Sequence, residues 1–232
     1  MSTSKAKQER QARLETVKQE QKSKEQKTII AIVVGCLVLL AALGGVITFA
    51  IQDAKSKQIQ NLGATVAAAS CAPITTDAQD GQGEHVGPGT QKASETSVPY
   101  KMIPPSSGPH FASPSISSTK FFTAKDRPAL ETLVHNLEHG YTILFYDGDA
   151  AKNKISLIKD ITAQANKLPE SQNKFLAVEW DKSRGALEKP WVLSHWSRAN
   201  GHRQFCGDLS GQVIVDFVKK YPLTDTQEPG AA

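Results

Sequence analysis

Much of the usual chemical vocabulary is missing from this chain. It has no Cys-x-x-Cys-His pair to attach a haem, no phosphate-cradling Gly-Lys-Ser/Thr loop and no dinucleotide-binding glycine turn. No Ser, His and Asp arrangement marks a nucleophilic triad, and no segment repeats. Beyond residue 27 the chain carries no net charge, which argues against a nucleic-acid surface. The whole formal charge of +4 sits in residues 1–27, where eight Lys and Arg face four Glu. That tail pairs Glu9 with Arg13 and Glu20 with Lys24, a spacing that favours helix, but it lacks heptads and an apolar face.

After the tail comes a run without a single charge, Thr28 to Ile51. At 1.5 Å per helical residue it is long enough to cross a bilayer. Its length and its extended basic flank favour an uncleaved anchor over a signal peptide. Lys27 on one side and Asp53 on the other set the orientation, with the N-terminus cytoplasmic and the rest outside. Val33-Val34-Gly35-Cys36 looks like a lipobox, but too few apolar residues precede it, so Cys36 reads as a small apolar helix residue. Small residues at Ala31 and Gly35, and at Ala41 and Gly45, would let a partner helix approach closely.

Cys71 and Cys206 remain. In an oxidising compartment they pair; otherwise they stay as two free thiols. The chain length allows one domain of ordinary size plus tails. The expected organisation is a basic cytoplasmic tail (1–27), a transmembrane helix (28–51), a stalk (52–70), an extracytoplasmic domain (71–221) and a polar tail (222–232). Residues 71–111 are irregular, rich in Gly, Pro, Ser and Thr. Beyond Pro128 the pattern predicts a helix ending at Gly140, a strand over 141–146, a helix over 149–167, strands over 175–180 and 191–196, and a helix over 210–221. The fold class is α+β: a single N-terminal transmembrane helix, then one small domain with a sheet packed by helices.

Chemistry concentrates in Leu133-Val134-His135-Asn136-Leu137-Glu138-His139-Gly140. On a helix His135 and His139 share a face and can offer two imidazoles to zinc or copper. Glu138 can ligate, orient a ligand or move a proton. A third ligand comes from His110 or His85 on irregular chain. His-x-x-Glu-His is also the ligand order of inverted zinc peptidases. Against that stand a helix ending directly after the second histidine, no evident downstream acidic ligand and a small domain. The plain alternative is a pair of structural histidines. His195 reads as a strand residue, and His202 as a loop residue near Cys206.

His85-Val86, Pro99-Tyr100, Pro104-Pro105-x-Ser107-Gly108-x-His110 and the Leu-Val-His-x-Leu-Glu-His-Gly block together resemble domain-of-unknown-function family 3105, over about His85 to Tyr146. The resemblance implies an extracytoplasmic domain of a membrane-anchored actinobacterial protein, with His85, His110, His135 and His139 on motif positions. The implied site is four imidazoles binding copper or zinc, with Glu138 and Tyr100 supporting them. Met102, close to His110, would favour copper(I). Three functions stand as expectations: a metal-binding envelope protein, a non-catalytic accessory subunit of a membrane complex such as a respiratory one, and a zinc peptidase. The expected partners are the lipid bilayer and a membrane complex reached through the anchor and the outer domain, with no nucleic acid.

Overall fold

The computed structural model describes residues 58–231 and scattered positions between 13 and 40. The chain divides into two compact units, residues 1–55 and 56–232. In the first, the described residues are helical, and Val33, Val34, Leu37 and Leu40 expose their side chains. Among the described residues no helix is long and apolar enough to cross a membrane. Most of the expected 28–51 anchor and of the 1–27 tail lies outside the described residues.

The second unit is a mixed α+β domain. Its six-stranded sheet runs in the order β1 (Thr75–Ala78), β8 (Asn200–Cys206), β7 (Trp191–Trp196), β5 (Thr142–Tyr146), β6 (Phe175–Glu179) and β4 (Phe121–Phe122). The first four pair antiparallel, whereas β5, β6 and β4 run parallel. The central strand β5 is buried at every residue because both faces are covered. Ile143 and Phe145 meet α1 (Leu130–Glu138), joined by Leu133, Val134, Leu137, Val178 and Trp196. Leu144 and Tyr146 point the other way. They pack with Ile158 and Ile161 of a longer helix, Ile155–Ala165, and with Ile214 and Phe217 of the last helix, Gly211–Lys220. In chain order, with the short Gly148–Ala151 turn as α2, these are α3 and α4. The predicted helix over 149–167 is thus two pieces, the first capped by Asp147, whose carboxylate accepts from the Asp149 and Ala150 amides.

Three segments differ from the sequence reading. Residues 200–206 form strand β8, so His202 is a strand residue and not a loop residue. Arg203 hid the strand by placing a charge in it; its guanidinium forks onto Asp77 of β1 at 2.7 and 2.9 Å, which lets it lie mostly buried there. Residues 58–70, read as a stalk, pack on the domain: Ile59 and Ala69 join the core, and Ala64 N donates to the Leu209 carbonyl at 2.8 Å. The polar tail after residue 221 also packs, with Thr226 fully buried. In neither does a helical or strand periodicity announce burial; backbone hydrogen bonds do much of the holding.

Of the stretch expected to be irregular, 71–111, residues 75–78 instead form strand β1, and residues 79–111 are irregular apart from a two-stranded parallel ribbon of β2 (His85–Val86) and β3 (His110–Phe111). The Cys71–Cys206 disulfide ties residue 71 to the end of β8. Reducing it is expected to lower the unfolding free energy by about 2–4 kcal/mol in urea titrations; an unchanged midpoint would show that the bridge is not a staple. His195 gives a second expectation. Burial pushes its pKa from 6.5 down to about 4, against the pull of the Asp225 carbonyl that its Nε2 meets at 2.9 Å. Its contribution is complete above pH 6.5 and is lost as pH falls towards 4, worth on the order of 3 kcal/mol. Urea midpoints at pH 7 and 5 should fall less in His195→Gln than in the parent; an equal fall would assign the effect elsewhere.

Candidate metal centre

Two local structures bring the site together. Helix α1 places His135 and Glu138 on one face, three residues apart. It ends where Gly140 adopts φ +85°, and a side chain there would strike the Leu223 carbonyl. The β2–β3 ribbon sets His85 directly beside His110. Gly108, at φ +145°, aims His110 inward; a Cβ there would meet the Tyr100 ring at 2.7 Å. The Tyr100 hydroxyl donates to the Pro109 carbonyl at 2.8 Å, so Tyr100 braces the loop that carries His110.

One donor atom each from His85, His110, His135 and Glu138 lies within 4.8 Å of the others. The rings of His85, His110 and His135 have centroids 4.8–5.2 Å apart. His110, His135 and Glu138 are buried, and His85 is the most exposed of the four. The edge of the His110 ring abuts Trp196 of the core.

The protons can be placed. A carbonyl oxygen only accepts, so His110 Nδ1, 2.8 Å from the Gly108 carbonyl, carries a hydrogen, and so does His135 Nδ1, 2.5 Å from the Phe111 carbonyl. In their neutral forms both rings therefore leave Nε2 as the lone pair, the arrangement that metal-ligating histidines adopt; that of His110 faces Glu138, and that of His135 faces His139 Nε2 at 3.0 Å. Burial pushes His135 down to about 4, against the pull of the Phe111 carbonyl, so it is neutral at pH 7.

Glu138 is 1% exposed. Burial pushes its carboxyl up, yet the contact with His110 and the Gly83 amide outweigh this and hold it below the ordinary range. Its Oε1 accepts from the Gly83 amide at 2.8 Å. Its Oε2 lies 2.7 Å from His110 Nε2, but neither atom has a partner in hydrogen-bonding alignment. Two polar atoms this close, and not aimed along one N–H, form a place where a shared cation could sit.

The sequence expected His139 in the ligand set and Glu138 beside it. The structure gathers Glu138 with His85, His110 and His135, their donor atoms within 4.8 Å of one another, and places His139 Nε2 3.0 Å from His135 Nε2. The three-residue spacing in His-x-x-Glu carried that signal. Met102 turns its sulfur to the Ser106 hydroxyl at 3.8 Å, so the donor set is imidazole and carboxylate, which fits zinc or copper(II) better than copper(I). The backbone partners at Gly83, Gly108 and Phe111 had no side-chain signal. His195 and His202 stand apart from the cluster, bonded to Thr142 and Ser197 respectively.

The family model DUF3105, described as a protein of unknown function, matches residues 91–232, more than half of the chain, and the chain belongs to that family. The match begins after His85 and runs well past Tyr146, so it takes in every strand of the six-stranded sheet except β1, and the C-terminal segment as well. No curated protein matches the chain, and no solved structure does.

The proton assignment is directly testable. Long-range proton–nitrogen spectra of labelled metal-free protein at pH 7 should show His135 as the Nδ1–H tautomer, its Nε2 signal carrying no hydrogen. An Nε2–H tautomer would contradict the Nε2 lone pair.

Proposed function

We propose that this chain is a membrane-anchored, extracytoplasmic metal-binding protein in which His85, His110, His135 and Glu138 hold one zinc or copper ion. The observation that carries the reading is the gathering of His85, His110, His135 and Glu138 donor atoms within 4.8 Å, with His110 and His135 Nδ1 committed to carbonyls and His110 Nε2 2.7 Å from a buried carboxylate. Three imidazoles and a carboxylate make a four-coordinate set of the kind zinc accepts. The ion would supply the positive charge that Glu138 otherwise lacks in its buried position, and Gly83, Gly108 and Phe111 would keep the donors oriented.

The anchor reading is supported by the charge-free run at residues 28–51 and by the uncovered apolar side chains of Val33, Val34, Leu37 and Leu40 on helical backbone. The disulfide supports an oxidising compartment. The peptidase order of ligands finds less support: α1 stops at Glu138, whose Oε1 is taken by the Gly83 amide and whose Oε2 lies against His110. A second reading, an accessory subunit of a membrane complex, draws on Gly35, where an added Cβ would meet nothing within 4 Å and a neighbouring helix could pack closely.

Metal content of the full-length chain, purified in detergent without a histidine tag, tests the reading. About one zinc or copper per chain is expected, falling to background in His135→Ala and to a small fraction in Glu138→Gln. Absence of metal from the parent chain after incubation with both ions would make these histidines structural.

A further inference from the structure

The proposed ligands are largely enclosed, so an ion that reaches them needs a route. From the Nε2 atom of His135 a second set of donors leads outward. His135 Nε2 lies 3.0 Å from His139 Nε2, which lies 3.1 Å from Glu228 Oε2. Exposure falls along this row: the Glu228 side chain is 53% exposed, that of His139 is 10%, and His135 is 4%. Beyond it, His110 and Glu138 are closed to solvent.

Glu228 is held in this position. The Thr226 hydroxyl donates to the Glu138 carbonyl at 2.6 Å, and the Glu228 amide donates to the same oxygen at 3.2 Å. Lys174 donates to the His139 carbonyl at 2.8 Å and to the Ala231 carbonyl at 2.6 Å. The C-terminal segment is therefore fastened on both sides of Glu228, and to the backbone of the two residues that end the metal-binding stretch. A half-exposed carboxylate fixed opposite a nearly buried imidazole is a pair that both zinc and copper(II) bind.

We propose that Glu228 and His139 form an outer station for a divalent cation, through which ions exchange with the inner cluster. The carboxylate draws the hydrated ion from solvent, His139 replaces part of its water, and His135 receives it from His139 over the 3.0 Å that separates the two nitrogens. His139 thereby serves exchange, while His85, His110, His135 and Glu138 retain the ion. The inference rests on the inner cluster being a metal site.

Zinc transfer kinetics test it on the full-length chain. Zinc-loaded protein is mixed with excess chromogenic chelator, and the metal-free protein is reloaded with zinc alone. Glu228→Gln and His139→Gln should keep about one zinc per chain while both release and uptake slow about tenfold. The urea midpoint of each metal-free variant shows that the fold is kept. Unchanged rates in both variants would overturn the station and put the entrance at His85. Loss of bound zinc in Glu228→Gln would overturn it too, by making Glu228 a resident ligand. A parent chain that takes up no zinc would end the inner-site reading, and the station with it.

Discussion

Glu138 is an ionisable side chain with almost no contact with water, and much of the domain is arranged around that fact. A buried carboxylate is costly unless charge or hydrogen bonds compensate it. Here one oxygen has a backbone amide and the other faces an imidazole nitrogen without alignment. The termination of α1, the His85–His110 pairing of the ribbon and the fastening of the C-terminal segment all converge on this group and its neighbour. A cation at the centre would meet the requirements of the carboxylate and of the Nε2 lone pairs together.

The same centre explains how a long irregular segment stays in place. Residues 79–119 bury few apolar side chains, chiefly Val86 and Val98, and neither belongs to the two core clusters flanking the sheet. Polar fastenings substitute. Glu131, 1% exposed, accepts from the Val98 amide at 2.9 Å and from Arg184 at 2.8 and 3.1 Å. The Ser194 hydroxyl donates to the Pro105 carbonyl at 2.7 Å, and Ser106 donates to Asp77 at 2.8 Å. A metal joining His85 and His110 to α1, as proposed, would add a further tie to a segment short of hydrophobic ones.

The regular elements beyond residue 128 were legible in the sequence because each buries a periodic apolar face: Leu130, Leu133, Val134 and Leu137 on α1, and the continuous run of β5. Strand β8 was not legible, since Arg203 and Gln204 interrupt its alternation and are satisfied only by groups distant in sequence. The packed ends, residues 58–70 and 222–231, were missed for the same reason: their bonds to Leu209, Glu138 and Lys174 involve backbone atoms that no composition reveals. At the site, the histidines were legible as a group because two sit at helical spacing and two lie just after Gly- and Pro-rich chain. The approach of Glu138 to His110 was not, because it depends on where Gly108 points His110.

The central claim is that the ion is bound by three imidazoles and the Glu138 carboxylate. X-ray absorption at the edge of the bound metal tests it most directly. The account predicts a first shell of nitrogen and oxygen alone, at about 2.0–2.1 Å, with outer-shell scattering from imidazole rings. A sulfur neighbour at about 2.3 Å, or a first shell without imidazole scattering, would contradict it.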